Sequence, residues 1–166
     1  TAYEIVDCDW SSDVCSSDLA ALALAALLGA LGGGLVRLGT LPALAAGPTG
    51  PQAVGQHGAL MMAGFFGAVI ALERAVALQR GGWVPALAGA GALIGWVHGW
   101  WAVSAGLWLA SSLGLLHLYA WAARHRAASL PLAVEASGAA ALSLGTLAWW
   151  LGQPEAARLG WSAFLV

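Results

Sequence analysis

The residues able to do chemistry are few, and they stand apart in apolar surroundings. Histidines His57, His98 and His117, methionines Met61 and Met62, and the charged residues Glu73, Arg74 and Glu135 are all embedded in long Ala, Leu and Gly runs. Neutral imidazole nitrogens are the commonest side-chain metal donors. Carboxylates and guanidiniums inside an apolar helix mark ion or proton pathways, or pair with one another. His57, His98 and His117 are therefore the candidate cofactor-binding residues, with His57 and His98 first for a metal. Glu73, Arg74 and Glu135 are the candidate ion pathway or structural pair.

The solvent around these groups follows from composition. Of 166 residues, 60% are apolar and only 8% charged, with 23 glycines, ten tryptophans and no lysine. A soluble domain carries about 25% charged residues, so that class is excluded and lipid is the expected surrounding. Nothing in the chain points to nucleic-acid binding, a P-loop, a dinucleotide fold or a nucleophilic triad; Gly32 to Gly34 sit inside an apolar helix, where they allow close packing or a kink.

Charge is unevenly spread. Glu4, Asp7, Asp9, Asp13 and Asp18 and both cysteines, Cys8 and Cys15, fall within the first nineteen residues, whereas all six arginines come later. Residues 1–19 have no basic n-region and no continuous apolar h-region, so they are not a signal peptide. Back-translated, Asp9 to Leu19 (DWSSDVCSSDL) resembles a common short-read sequencing adapter, and Thr1 to Ile5 (TAYEI) fits the upstream part of the same oligonucleotide. The segment is expected to be a non-native, disordered leader whose cysteines carry no disulfide or metal meaning. Trp161 to Val166 opens an apolar run that stops within two turns, so the chain reads as an internal fragment of a longer membrane protein, with missing helices as partners.

The remainder divides into stretches of spanning length, each needing about 20 residues to cross a core of about 30 Å. They run over 19–38, 57–78, 83–104, 107–123 and 131–151, with a truncated sixth at 161–166. The polar-apolar alternation of a membrane barrel is absent. The fold class is therefore all-α, a polytopic transmembrane helix bundle. Arg74 and Arg80, then Arg124 and Arg126, flank loops 79–82 and 124–130, which places those loops in the cytoplasm and 39–56 in the periplasm or outside. Arg37 and Arg158 vote the other way. Trp100, Trp101 and Trp108 would then form an outer aromatic belt, and Trp83 and Trp121 an inner one.

Depth and phase sort the polar groups. His57 and His98 fall near the outer ends of their spans, His117 near mid-membrane, and Glu73, Arg74 and Glu135 in the inner third. At about 100° per residue, Gly64, Gly67, Ala68, Ala71 and Ala75 share the face of His57, and Met62, Phe66, Val69 and Glu73 oppose it. His98 shares a small and aliphatic stripe with Gly91, Ile94 and Gly95, so both imidazoles should face protein. Plainer readings stand beside these. His57 can simply cap its helix, His98 bond a neighbouring carbonyl and His125 remain a solvated surface group. Glu73 and Arg74 can form a local pair, and Glu135 can complement a helix N-terminus.

The run His57-Gly58-Ala59-Leu60-Met61-Met62-Ala63-Gly64-Phe65, followed by Leu72-Glu73-Arg74-Ala75, carries a resemblance. It resembles a group of bacterial multi-span proteins with an H-G-P-L-M…G-F…L-E-R-A-V-A-L signature. More distantly it is similar to the NnrS family, haem- and copper-containing membrane proteins of nitric oxide stress with H-x-H-E-M-x2-G-F, and to the rhythm of haem-copper oxidase catalytic subunits. The match covers about one helix in six. Where the NnrS pattern has a second histidine and a glutamate, this chain has Ala59 and Leu60, so only His57, Met61, Gly64 and Phe65 carry over. The resemblance implies that His57 is an axial haem ligand or a copper ligand, with Met61 also in the cofactor-binding site, in a bacterial inner-membrane protein.

Three function classes follow. The first is a haem- or copper-binding integral membrane protein of redox or nitric oxide metabolism, with His57 joined by His98 or His117. The second is a transporter or proton pathway through Glu73, Arg74 and Glu135, about 24 Å of helix rise below His57. The third is a structural membrane subunit without chemistry. Whether the chain is an enzyme is left open by its residues.

Overall fold

With so little polar surface, the backbone must satisfy its own hydrogen bonds, and helices do this within one segment. The computed structural model describes residues 16–40, 50–125 and 129–165, and no strand occurs among them. Helix α1 spans Ser16–Arg37. Gly50–Ala59 (α2) runs through a wider segment, Leu60–Phe66, into Gly67–Leu78 (α3), forming one rod. Trp83–His98 (α4), Trp101–His125 (α5), Leu130–Trp150 (α6) and Pro154–Phe164 (α7) complete an up-and-down bundle. Four stretches are long and apolar enough to cross a membrane: Asp18–Arg37, Val54–Leu78, Trp101–His125 and Leu130–Trp150. The chain is an all-α integral membrane protein. Thr1 to Cys15 of the adapter-like leader lie outside the described residues, while Ser16 to Leu19 form the first turn of α1.

The rod from Gly50 to Leu78 is unusual in its middle. Between Leu60 and Phe66 the turns open to π-helical width, and the Gly67 N–H bonds the Met62 carbonyl five residues back. The small residues explain the need. Ala59, Ala63, Gly67, Ala71 and Ala75 are all buried, at a strict spacing of four. Four residues overshoot an α-turn by about 40°, so this stripe would drift about 160° round a plain α-helix. The wide turns take up part of that drift and keep the stripe on the core side. Gly64 brings the rod against two neighbours at once: a Cβ there would lie 3.0 Å from the Ala92 Cβ and 3.5 Å from the Ala26 Cβ. The five small residues expected on the His57 face are all buried.

The turn after the third apolar stretch differs from expectation. Ala105-Gly106 lies inside α5, and the chain turns at Gly99-Trp100 instead, with Gly99 left-handed (φ 70°) and its N–H closing on the Gly95 carbonyl. Glycine directly after the last helical residue is a stop signal because it alone enters that conformation without steric cost. At 16 residues, α4 is only about 24 Å long. The next helix, α5, has 25 residues.

Moving the turn also relocates Trp108. It is 1% exposed, not in an aromatic belt. Its indole N–H donates to the Ala88 carbonyl at 3.0 Å, and Ser111 Oγ donates to the Val84 carbonyl at 2.8 Å. Both bonds tie α5 to α4. Gly91 makes the approach feasible, since a Cβ there would lie 2.9 Å from the indole.

The start of α6 falls within one residue of the expected 131, whereas the last helix begins earlier than expected. Ser129 caps α6, its hydroxyl accepting from the Leu132 N–H, with Pro131 in the first turn. Rather than beginning near Trp161, α7 starts at Pro154, where proline suits a first turn. It folds back on α6 with backbones nearly touching, a Cβ on Gly160 being only 2.7 Å from the Gly145 Cα. Trp161 donates to Thr146 Oγ1 at 3.4 Å across the same contact. Likewise the second rod begins at Gly50, so part of the expected 39–56 connector is helical.

Candidate functional site

At the end of the bundle where α1 stops, α2 starts and α7 doubles back, the helices leave an open-mouthed cavity of about 570 Å³. Arg37, His57, Met62, Trp149, Arg158 and Trp161 line it. Each is there for a local reason. Arg37 is the last residue of α1 and Arg158 lies on the short return helix, so both reach the rim. Indoles make the floor: Trp149 stands 5.5 Å from Trp108 and 6.4 Å from Trp161, centroid to centroid.

His57 is half-buried, with its Nδ1 2.9 Å from the Val54 carbonyl oxygen. A carbonyl can only accept, so Nδ1 donates and Nε2 of the neutral ring keeps its lone pair. This is the arrangement that orients a metal-ligating imidazole. Gly34 of α1 lies beside the ring, whose Cδ2 is 3.9 Å from where a Cβ would stand. Arg158 shares one nitrogen with Glu155 at 3.0 Å on the exposed rim, leaving its other donors for a ligand.

The other expected ligands are elsewhere. Met61 packs against the apolar core, and Met62 is the methionine lining the cavity. In a plain α-helix the fourth residue after His57 would share its face; the wide turn from Leu60 brings round the fifth. His98 is exposed, because it is the last residue of α4 where Gly99 turns the chain, and its ring lies 5.3 Å from that of Trp100. His117 is also exposed. It follows buried Trp108 by nine residues, which is about half a turn round α5. Neither His98 nor His117 lines the cavity with His57. Among the described residues, no group of three or more His, Cys, Asp or Glu could hold a metal ion.

Toward the opposite end, the charged trio separates. Arg74 of α3 pairs with Glu135 of α6 at 2.5 Å, and its guanidinium lies 5.1 Å from the Tyr119 ring centroid of α5. Glu73 is exposed and forms no ion pair among the described residues. His125 is exposed but not simply solvated, since it stacks on Trp121. Arg126 lies outside the described residues.

The cavity residues that composition and spacing did not single out are Arg37, Arg158, Trp149 and Trp161. A signal for two of them was present: Arg37 and Arg158 were the arginines that disagreed with the charge rule for loops. They lie with His57, at the end opposite Arg80 and Arg124.

A protein family described as "Domain of unknown function (DUF8744)" matches residues 17–166. The chain belongs to the DUF8744 family. The family match takes in every residue of the cavity and of the Arg74–Glu135 pair. No curated protein and no solved structure matches the chain.

Proposed function

We propose that this integral membrane protein of the DUF8744 family is a binding protein for an anionic amphiphile, held in the His57 cavity. The observation that carries the reading is the cavity's two-part lining: Arg37, Arg158 and His57 offer cationic and polar groups, while Met62, Trp149 and Trp161 offer apolar faces. Ligand sites combine a mostly apolar wall with a few placed polar groups in this way. Guanidiniums on that side also receive a reason, since loops opposite the cytoplasm are usually poor in arginine. On the topology expected for a bacterial inner membrane, loops 79–82 and 124–130 face the cytoplasm and the cavity opens away from it.

Haem is the member of this ligand class suggested by the resemblance of the His57 helix to NnrS proteins, and the donor set fits it. His57 Nε2 would ligate the iron, Arg37 and Arg158 would pair with the propionates, and the indoles would flank the macrocycle. Bound haem would supply gas-binding or one-electron chemistry. Copper does not fit, because the cavity brings together one imidazole and one thioether without a third donor among the described residues.

The test is a titration of the detergent-purified full chain with haem and, separately, with a long-chain fatty carboxylate. Both should bind, haem with a shifted, sharpened Soret band that His57→Ala returns to the position of free haem. Arg37→Gln and Arg158→Gln should each weaken both ligands about tenfold, the loss of one charge-assisted hydrogen bond. Fatty carboxylate binding without the Soret shift would discard haem alone. Binding of neither would discard the whole reading.

A further inference from the structure

The end of the bundle opposite the cavity holds a second built arrangement. In the turn between α3 and α4, Gln79 (φ 52°) and Gly81 (φ 81°) take left-handed backbone. Gly81 is pressed onto α5, where a Cβ would lie 2.7 Å from the Leu118 Cδ2. The turn therefore holds Arg80 against α5, and its guanidinium carbon lies 4.2 Å from the Trp121 ring centroid. The same indole stacks on His125, with centroids 4.5 Å apart and 17° between planes. His125 is itself held by its Nδ1, which donates to the Trp121 carbonyl at 2.9 Å. Arg124, next along α5, is exposed.

Charge at this end is not cancelled locally. Glu135 is taken by Arg74, and neither Arg80 nor Arg124 forms an ion pair among the described residues. Glu73 is the exposed carboxylate of α3, about 10 Å up the helix axis from Arg80. A guanidinium lying on an indole keeps its N–H fork in its own plane, aimed past the ring edge. That fork matches two oxygens of a phosphate, and a nearby second arginine adds charge. Tryptophan and arginine where apolar helices end belong to the level of lipid headgroups. Every phospholipid presents a phosphodiester at this level, and the unpaired charge of Arg80 and Arg124 favours a lipid whose headgroup carries net negative charge.

We infer that Arg80, Trp121, His125 and Arg124 form a headgroup site for an anionic phospholipid. Arg80 is the fork, Trp121 its platform, Arg124 the flanking donor, and His125 the ring stacked on that platform. The site is independent of the His57 cavity.

The full chain in nanodiscs of phosphatidylcholine doped with phosphatidylglycerol tests this, with co-retained lipid read by native mass spectrometry. The wild type should enrich phosphatidylglycerol. Arg80→Gln should cut the enrichment about fivefold and Arg124→Gln about fivefold again, the usual worth of one arginine at an anionic surface. Trp121→Phe should retain most of the enrichment. Circular dichroism checks that the variants fold, and Arg80→Lys provides a milder change that keeps the charge. Undiminished enrichment in the double variant overturns the site. So does full enrichment in Arg80→Lys, which would make the effect diffuse charge. Inorganic phosphate at equal concentration should leave the lipid bound; displacement by it would mean a free-phosphate site and also overturn the inference.

Discussion

Arg74 on α3 pairs with Glu135 on α6, across the bundle, and not with Glu73 beside it in the chain. Helical geometry accounts for the choice. Adjacent residues point about 100° apart, so Glu73 and Arg74 leave the helix in different directions. Arg74 faces α5 and α6, where Tyr119 offers a ring face and Glu135 a carboxylate, while Glu73 faces outward. Three helices meet at one guanidinium. Its Nε has no hydrogen-bond partner among the described residues, so the junction depends heavily on the carboxylate.

Removing either partner should therefore destabilise the bundle. Arg74→Met or Glu135→Leu leaves a partly buried charge alone and is expected to cost about 2 kcal/mol. Glu73→Gln should cost less than about 0.5 kcal/mol, as an exposed change. The double variant Arg74→Met/Glu135→Leu should be more stable than either single one, because it buries no orphan charge. Thermal unfolding in detergent reads all four. Equal effects for Glu73 and Glu135 would contradict the cross-helix pairing.

The wide turns between Leu60 and Phe66 hold more chain than the same length of α-helix. Deleting Met61 should let them tighten toward α geometry with the flanking helices near their present faces. The chain should still insert and fold, and Met62, now the fourth residue after His57, should stay on the cavity wall with ligand binding largely retained. Deleting Val69 from α3 has no such slack and should disrupt the bundle. Comparing monodisperse yield and ligand titration for the two deletions checks this; equal tolerance would mean that the wide turns store no register.

The contact between α4 and α5 depends on a small residue opposite a large one. Trp108→Phe removes the bond to the Ala88 carbonyl and should cost about 1 kcal/mol, typical of an interhelical hydrogen bond in lipid. Gly91→Val should cost more, about 2 kcal/mol, because its added carbons would overlap the fixed indole. Unfolding midpoints in one detergent give the order. A harmless Gly91→Val would show that the indole can move aside.

Much of the architecture was legible without coordinates, because the relevant forces are short-range or depend on composition. Low charge and long apolar runs predict helices in lipid, and they are helices. The small-residue face of the His57 span follows from its spacing, and the start of α6 from Pro131. The Gly99 turn is legible in principle, since glycine follows a histidine at the helix end; Ala105-Gly106, the gap between the apolar stretches 83–104 and 107–123, lies inside the uninterrupted α5.

The cavity was less legible. Arg37 and Arg158 are more than a hundred positions apart, and only the return of α7 over α6, through Gly160 against Gly145, brings them to one rim. The exchange of Met61 for Met62 beside His57 depends on turns that widen because neighbouring helices demand the small stripe at a spacing of four. Arg74's choice of Glu135 likewise depends on which helix lies opposite. Sequence alone determined the solvent, the helices and their small faces, since each depends on residues within a few turns of one another. Tertiary structure decided which polar groups meet, because a few degrees of helix rotation separate a side chain in a shared cavity from one on an outer face.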